Sequence, residues 1–216
     1  MTTVLLAGAT SAIGVDVARA LRTSGLEVIA TGRSAARLEP LADVGAQTVV
    51  ADATSLADMT ALAGRLTADG IGVDAVVPLV GGWRGGGGLA GQSDEDFHAL
   101  LPALEAVRAT SRAFDALLRA APAGRFAIVS STAVARPLAG GANYAAVKAA
   151  SEAWTRAVAQ GWAKAAREAE EPLRAASVVF RARTLDAGSL AAHLRGLWDH
   201  DAAALNDRVV DLEPSA

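Results

Sequence analysis

The stretch VLLAGATSAIGVDVARAL, residues 4–21, contains the signal that decides the fold. Its short apolar beginning predicts a buried strand, and its alanine-rich end predicts a helix. Gly8 and Gly14 lie at the junction, where glycine allows a sharp turn and the following helix presents unpaired amides and its positive dipole end. A diphosphate fits such a turn, so the sequence predicts a dinucleotide site here. The turn residues expected to contact the cofactor are Gly8, Thr10, Ser11, Ala12, Ile13 and Gly14.

The rest of the chain repeats this alternation of short apolar runs with longer alanine-rich segments. Strands are predicted near residues 2–7, 26–31, 46–51, 73–80, 125–130, 174–180 and 208–212. Helices are predicted near residues 12–24, 34–42, 55–68, 93–120, 142–169 and 187–198. The pattern is typical of βαβ units around a parallel sheet. We therefore expect one doubly wound α/β domain over residues 1–216, with about seven parallel strands and helices on both faces.

The composition narrows the classes of function. The chain has no cysteine, which excludes disulfides and thiolate metal ligands, and its formal net charge is -3. No basic stripe is present for nucleic acid, and the three histidines lack the spacing of metal ligands. No apolar run approaches the roughly 20 residues of a membrane span, and the first residues lack the features of a secretory leader. We therefore expect no metal, nucleic-acid or membrane partner and a cytoplasmic location.

The end of the second predicted strand indicates which dinucleotide is preferred. A site for NAD usually has an acidic residue here to bind the ribose hydroxyls, whereas the additional phosphate of NADP favours arginine. The sequence has Thr31, Gly32 and Arg33, which include no acid and one guanidinium. It therefore favours NADP, with NAD possible and Arg37 as a second candidate contact. An ordinary surface role for Arg33, just before a helix, is the competing interpretation.

Asp52 and Ala53 follow the third predicted strand and are expected to line the same site. The carboxylate of Asp52 is suited to accept a hydrogen bond from the adenine amino group. A role for Asp52 in starting the next helix is the alternative.

The stretch GANYAAVKAASEAW, residues 141–154, contains the only tyrosine of the chain, Tyr144, and one of its two lysines, Lys148. A spacing of four places the two side chains on one side of a helix. Lysine suits this position because its compact ammonium can reach a ribose hydroxyl and a phenol together, and it can exchange a proton, which arginine does not. A cation beside the phenol stabilises the phenolate, so the pair is suited to acid–base chemistry near neutrality. Tyr144 and Lys148 are therefore predicted to be both catalytic and cofactor-binding.

Ser131 stands thirteen residues before Tyr144, at the end of the predicted strand RFAIVSS. The carboxyl end of that strand should face the same crevice as the cofactor turn. We expect the Ser131 hydroxyl to hold a substrate carbonyl while the phenol donates a proton. The neighbouring Ser130 is the less favoured candidate.

With these residues assembled, the chain resembles the short-chain dehydrogenase/reductase family over essentially its whole length, from AGATSAIG through the serine and YAAVK to the final RVVDL. The resemblance implies a Rossmann fold, a nicotinamide cofactor and hydride transfer to a carbonyl. It implies that Tyr144 is the proton donor, that Ser131 polarises the carbonyl and that Lys148 binds the nicotinamide ribose. It also places Val80 and Gly81 beside the cofactor. The expected partners are a small carbonyl or alcohol substrate and further copies of the chain, in a homodimer or homotetramer.

The chain departs from the family pattern near the cofactor. Ala12 replaces the middle glycine of the turn, or Ser11 does so in the register of longer members. The usual Asn-Asn-Ala-Gly after the fourth strand is PLVG, residues 78–81. The helix asparagine of the family's proton relay falls near Ala103 or Leu104, and neither side chain can hold a water molecule.

The substrate region departs as well. Phe180 and Arg181 replace the family's Pro-Gly, and residues 181–190 are shorter than the usual covering segment, although Thr184 remains a candidate contact for the nicotinamide amide. The segment GGWRGGGGLAG, residues 81–91, is interpreted either as a flexible surface loop or as a mobile cover that brings Trp83 and Arg84 to the pocket.

Three functions are compatible with these residues. The favoured one is an NADPH-dependent oxidoreductase that interconverts a carbonyl and an alcohol. The alternative is a catalytically impaired NADP-binding regulatory or accessory protein of the same fold, which the missing asparagine and the short substrate region motivate. The third is a lyase or isomerase that uses Tyr144 without net redox change.

Overall fold

A computed structural model describes residues 2–212 of the chain. Its strands are β1 (Thr3–Ala7), β2 (Glu27–Gly32), β3 (Gln47–Val50), β4 (Ala75–Pro78), β5 (Arg125–Ser131), β6 (Ala176–Ala182) and β7 (Val209–Asp211). Its α-helices are α1 (Ala12–Thr23), α2 (Ala35–Asp43), α3 (Leu56–Ala68), α4 (Asp94–Ala120), α5 (Ala142–Glu168), α6 (Ala187–Arg195) and α7 (Ala202–Leu205). Each predicted strand is present, and its ends differ from the prediction by no more than two residues.

The seven strands form one sheet in the order β3-β2-β1-β4-β5-β6-β7, and every paired strand is parallel. The predicted α/β class and the doubly wound parallel sheet are therefore confirmed. The strand order reverses between β1 and β4, because the chain first builds outward from β1 to β3 and then crosses back to β4. A crevice opens outside the carboxyl ends of the strands at such a reversal, and ligands of open α/β sheets bind there.

Both faces of the sheet are covered by helices, which explains why the strands are apolar at consecutive positions. Along β1, Val4 and Leu6 belong to the core beneath α1 and α6, whereas Leu5 belongs to the core on the other face with α3, α4 and α5. All five residues of β1 are buried. The sheet therefore holds β1 and the turn that follows it in a fixed position.

Two differences from the predicted helices lie near the end of the described chain. The predicted helix over residues 187–198 ends as an α-helix at Arg195 and continues as a 3₁₀ turn, Gly196–Trp198. The single-turn helix α7 was not predicted, because four residues are too few to show a helical period. Within residues 2–212, no helix combines the length and the apolar character needed to cross a membrane.

Candidate active site

The turn between β1 and α1 requires glycine at both of its predicted positions. Gly8 has a φ of +75°, and a Cβ atom added there would lie 2.3 Å from Val80 Cγ2. A Cβ atom on Gly14 would lie 2.1 Å from the carbonyl oxygen of Ala9. At both positions a residue larger than glycine would therefore have to displace its neighbours, and the turn keeps its backbone free of side chains.

Ser11 caps α1, because its hydroxyl accepts the N–H of Gly14 at 3.2 Å. The amides of Ala12 and Ile13 occupy the first two helix positions and have no acceptor within the helix. They remain available to an anion at the positive end of the helix dipole, which is the arrangement that binds a diphosphate. The residues of this turn thus fit a dinucleotide, although Ala12, or Ser11 in the other register, stands where the family pattern has glycine.

A groove follows the carboxyl edge of the sheet in two connected parts. The first part, a cavity of about 460 Å³, contains the predicted residues Gly8, Thr10, Ser11, Arg33, Asp52, Ala53, Val80 and Gly81. The second part, of about 280 Å³, contains Ser11, Ile13, Gly14, Val80, Gly81, Ser130, Tyr144 and Lys148. Ser11, Leu79, Val80 and Gly81 line both parts, so the two form one continuous groove. Among the residues predicted to bind the cofactor or to catalyse, Ala12, Ser131 and Thr184 line neither part.

A larger cavity of about 1080 Å³ is lined by residues of β6, β7, α6 and α7. It contains none of the turn residues and neither Tyr144 nor Lys148. The groove at the strand reversal is the better candidate active site, because the phosphate turn and the acid–base pair both open into it.

The first part of the groove ends between two exposed arginines. Arg33 and Arg37 both line it, and the guanidinium of Arg37 donates to the carbonyl oxygen of Thr10 at 3.4 Å. Both side chains are exposed, Arg33 directly after β2 and Arg37 in the first turn of α2, where the ribose of a bound dinucleotide would lie. This end of the groove therefore carries positive charge.

Asp52 holds the turn after β3. Its Oδ1 atom accepts hydrogen bonds from the N–H and the hydroxyl of Thr54, at 2.9 and 2.8 Å. The N-cap of α3 is Ser55, whose hydroxyl accepts the N–H of Asp58 at 3.2 Å. Asp52 thus shapes the turn that leads into α3 without capping the helix, and it lines the groove.

Tyr144 and Lys148 project from the first turns of α5 into the second part of the groove. The Nζ atom of Lys148 lies 5.8 Å from the centre of the Tyr144 ring and donates to the carbonyl oxygen of Val129 at 2.7 Å. Burial lowers the pKa of Lys148 to about 8, although the nearby carboxylate of Glu152 opposes the shift. The ammonium is therefore bonded to a strand carbonyl and lies near the Tyr144 ring, with a pKa of about 8.

Ser130 is the serine that the structure brings to this pair. Ser130 lines the groove, and its hydroxyl donates to Glu152 Oε1 at 2.6 Å. The hydroxyl of Ser131 instead accepts the N–H of Ala133 at 3.2 Å, where the chain leaves β5 in a 3₁₀ turn. Consecutive strand residues face opposite ways, so only one of the two serines can face α5 from within β5.

A buried ion pair lies behind Ser130 that the sequence reasoning missed. Glu152 is 5% exposed and accepts two hydrogen bonds from Arg181, at 2.8 Å from Nε and 2.6 Å from Nη2. Burial raises the pKa of Glu152, but the hydrogen bonds from Arg181 and Ser130 outweigh it, and the net effect is to lower that pKa. Arg181, which replaces a small residue of the family pattern, thus fixes the carboxylate that holds Ser130.

The position of the family's helix asparagine is apolar here. A Cβ atom built on Gly81 would lie 3.9 Å from both Ala103 Cβ and Lys148 Nζ, so the alanine and the ammonium flank Gly81. Ala103 offers no hydrogen bond, and Lys148 bonds directly to Val129.

The shortened substrate region contributes one cation that the sequence analysis did not select. Arg183 lines the groove beside Tyr144 and Lys148, whereas Thr184 is exposed and does not line it. Trp83 and Arg84 are also exposed, and the Arg84 guanidinium lies 3.8 Å from the Asp96 carboxylate. The spacing of residues in the sequence did not identify Arg183, because its place in the groove depends on β6 ending at Ala182.

The pKa of Lys148 predicts how stability changes with pH. Between the folded value of about 8 and the ordinary value of 10.5, the unfolded chain holds a proton that the folded chain has lost. The Lys148 contribution to the unfolding free energy therefore rises as pH increases through this range, by on the order of 3 kcal/mol. Denaturant unfolding between pH 7 and pH 11 should show this rise in the unfolding free energy for the wild type but not for Lys148→Met.

The other lysine provides a matched control. Lys164 lies on the same helix, has a side chain that is 68% exposed, and pairs with Glu168 at 3.6 Å. Lys164→Met should keep the wild-type slope. A Lys148→Met slope equal to that of the wild type would show that the buried ammonium does not titrate in this range.

The parallel sheet, the glycine turn after β1 and the Tyr144–Lys148 pair in one groove are consistent with one oxidoreductase family. The chain belongs to the short chain dehydrogenase family, whose sequence profile matches residues 2–166. None of the curated protein sequences compared with the chain matches it.

Solved structures of this family share the fold. A proposed short chain dehydrogenase from Escherichia coli CFT073 superposes with a TM-score of 0.84 at 19% identity, covering 99% of this chain and 96% of that one. A proposed short chain dehydrogenase from Shigella flexneri 2a strain 301, crystallised with NADP, has a TM-score of 0.82 at 18% identity and coverages of 97% and 96%. The oxidoreductase yciK from E. coli has a TM-score of 0.80 at 20% identity and coverages of 99% and 95%.

Proposed function

We propose that the protein is an NADPH-dependent reductase that interconverts a carbonyl and an alcohol, with Tyr144 as the acid–base residue. The observation that carries the proposal is the convergence of Tyr144, Lys148 and Ser130 in one groove with a glycine turn that fits a diphosphate. Membership of an oxidoreductase family supports the redox class.

A nicotinamide dinucleotide, when bound, would supply the hydride for the carbonyl carbon. Tyr144 would give its phenolic proton to the carbonyl oxygen, so that the product is a neutral alcohol. The Lys148 ammonium would stabilise the phenolate that remains. Ser130 donates a hydrogen bond to Glu152, so toward a ligand its hydroxyl oxygen can only accept a hydrogen bond, such as one from a hydroxyl or amide group.

The proposed preference for NADP rests on the arginines at the far end of the groove. Arg33 and Arg37 both line that end, which includes no carboxylate from β2. The NADP in the S. flexneri structure is consistent with this preference, since that protein shares the fold. The preference is a proposal about this chain's own residues.

The experiment is an assay of the purified protein with NADPH and NADH over a panel of ketones and aldehydes, in parallel with cofactor titrations. We expect turnover with NADPH, and for Arg33→Ala an NADPH dissociation constant about tenfold higher, because a charge-assisted bond to the ribose phosphate is lost. The NADH dissociation constant should stay within about twofold of the wild type, since NADH lacks that phosphate.

An arginine outside the groove serves as the control. Arg65 is exposed on α3, and Arg65→Ala should leave both dissociation constants unchanged. Equal losses for NADPH and NADH in Arg33→Ala would contradict the assignment of Arg33 to the phosphate. Binding of NADPH without turnover of any carbonyl would favour the accessory-protein alternative, and conversion of substrate without consumption of cofactor would favour a lyase or isomerase.

A further inference from the structure

The glycine-rich loop, residues 81–91, is attached to the segment that precedes the catalytic helix α5. The N–H of Gly86 donates to the carbonyl oxygen of Gly140 at 2.7 Å. Gln92, which follows the loop, reinforces this contact with its side-chain amide. The Nε2 atom of Gln92 lies 3.1 Å from the Gly86 oxygen, 3.3 Å from the Gly88 oxygen and 3.0 Å from the Gly140 oxygen.

The other end of the Gln92 side chain caps α5. Its Oε1 atom accepts the N–H of Asn143 at 3.1 Å, across 51 residues of sequence. The N-cap position of α5 is Gly141, which makes no side-chain cap bond. Free N–H groups in the first turn normally take such a bond from a residue at the N-cap. Gln92 therefore supplies the capping acceptor that Gly141 lacks.

A second bond joins the same two segments. The side-chain amide of Asn143 donates to the carbonyl oxygen of Ser93 at 2.9 Å. Asn143 immediately precedes Tyr144, so the residue before the proposed proton donor is held by both its backbone and its side chain.

The glycines of the loop are required by this attached conformation. A Cβ atom on Gly85 would lie 2.3 Å from the Gly140 oxygen, and one on Gly91 would lie 2.7 Å from Gly87 Cα. Gly86, Gly87 and Gly88 all have positive φ values, of +129°, +64° and +66°. The glycine content therefore permits close backbone contact, beyond any role in flexibility.

The loop also reaches the active-site groove. Gly81 and Gly82 begin the loop and line the part of the groove that contains Tyr144 and Lys148. A ligand in that part contacts the start of the loop, and Gln92 at its end contacts α5. One segment thus touches both the ligand space and the first turn of the catalytic helix.

We propose that Gln92 is a positioning residue that couples the attached state of the glycine loop to the orientation of Tyr144. The inference rests on the proposed function, since it assigns meaning to the position of the phenol. With the loop attached, Gln92 satisfies the Asn143 amide and fixes the first turn of α5. With the loop detached, that amide loses its partner, and the turn that carries Tyr144 is less constrained.

Two substitutions by residues of similar size distinguish the donor role of the Gln92 side chain from its acceptor role. Gln92→Met removes both the donor and the acceptor. Gln92→Glu keeps an acceptor for Asn143 and adds negative charge at the positive end of the helix, but it removes the donor to the three glycine carbonyls. Gln160→Met is the control, because Gln160 lies on α5 far from the groove and donates to Asp207 at 3.3 Å.

The readouts are amide hydrogen exchange by mass spectrometry and steady-state kinetics. In Gln92→Met, exchange should accelerate about fivefold in residues 81–91 and in residues 142–146, as expected for a lost helix cap. Its kcat should fall on the order of tenfold, with an unchanged NADPH dissociation constant. In Gln92→Glu the Gly86–Gly140 backbone bond still attaches the loop, so exchange should accelerate in the loop only, with a smaller loss in kcat. Gln160→Met should change neither readout.

The exchange measurement keeps the inference distinct from the proposed function. If the wild type reduces no carbonyl, the proposed function fails, while exchange in residues 142–146 still decides the coupling. Acceleration limited to the loop in Gln92→Met, or equal acceleration of the helix turn in Gln92→Met and Gln92→Glu, would overturn the role of Gln92.

Discussion

Replacing Tyr144 with phenylalanine is expected to lower kcat/KM for carbonyl reduction about a thousandfold, with little change in NADPH affinity. In the proposed mechanism the phenol gives a proton to the carbonyl oxygen, and loss of a general acid reduces rates by about 10²–10⁴-fold. The ring itself packs against the apolar cluster of Leu100, Ala103 and Val147, and phenylalanine keeps that packing. Initial rates of NADPH oxidation and a fluorescence titration of NADPH measure the two quantities.

The same assay separates the two serines of β5. Ser130 lines the groove, whereas the Ser131 hydroxyl is bonded to the turn after the strand. If Ser130 orients the substrate, Ser130→Ala should lower kcat/KM more than Ser131→Ala does.

Two results would contradict the prediction for Tyr144. Undiminished turnover by Tyr144→Phe would remove the acid–base role from Tyr144, and a loss in NADPH affinity equal to the loss in kcat/KM would assign Tyr144 to binding alone.

Replacing Glu152 with glutamine is expected to destabilise the fold by about 3 kcal/mol at neutral pH, because it leaves the Arg181 guanidinium without its counter-ion. The Glu152 side chain is 7% exposed and that of Arg181 is 22% exposed, so solvent screens the pair only weakly. The pKa of Glu152 is lowered in the folded state. The stability that the ionised Glu152 contributes to the wild type is therefore fully present above the ordinary pKa of 4.5. It decreases as pH falls through the lower pKa of the folded state.

Urea unfolding of the wild type and Glu152→Gln between pH 3 and pH 7 measures this difference. Glu168→Gln is the matched control on the same helix, because Glu168 forms an exposed ion pair with Lys164 and should lose less than about 1 kcal/mol. Replacing Glu152 and Arg181 together by methionine should recover much of the loss, as buried pairs exchanged for apolar residues often do. A Glu152→Gln variant as stable as Glu168→Gln would show that the buried pair contributes no more than a surface one.

Glu152→Gln also affects the acid–base pair. The Glu152 carboxylate raises the pKa of Lys148 against the larger effect of burial. Its removal should lower the pKa of Lys148 further below 8, so an activity that needs the protonated lysine declines at a lower pH in the variant.

Features encoded over a few neighbouring residues were predictable from the sequence. The β1 turn was one, because Gly8 and Gly14 fall at the junction between a predicted strand and a predicted helix. Tyr144 and Lys148 were another, since a spacing of four fixes their relation within a helix. The strands were also predictable, because a sheet buried on both faces leaves continuous apolar runs.

Contacts between distant segments were not predictable in this way. Which serine faces α5 depends on where β5 meets that helix, and a shift of one residue reverses the answer. The Glu152–Arg181 pair joins residues 29 apart, and the Gln92–Asn143 bond joins residues 51 apart. No local pattern marks such partners, because each residue type is ordinary in its own segment.

The position of β1 between β2 and β4 has a consequence for synthesis on the ribosome. The N–H of Thr3 bonds to the Asp74 carboxylate, 71 residues later, and β4 follows directly at Ala75–Pro78. The nascent chain therefore carries a largely apolar strand whose second edge is unpaired until translation has passed β4. Val80, which packs against Gly8, is synthesised at the same stage, so the contacts of the first glycine turn are completed only when more than a third of the chain has been made.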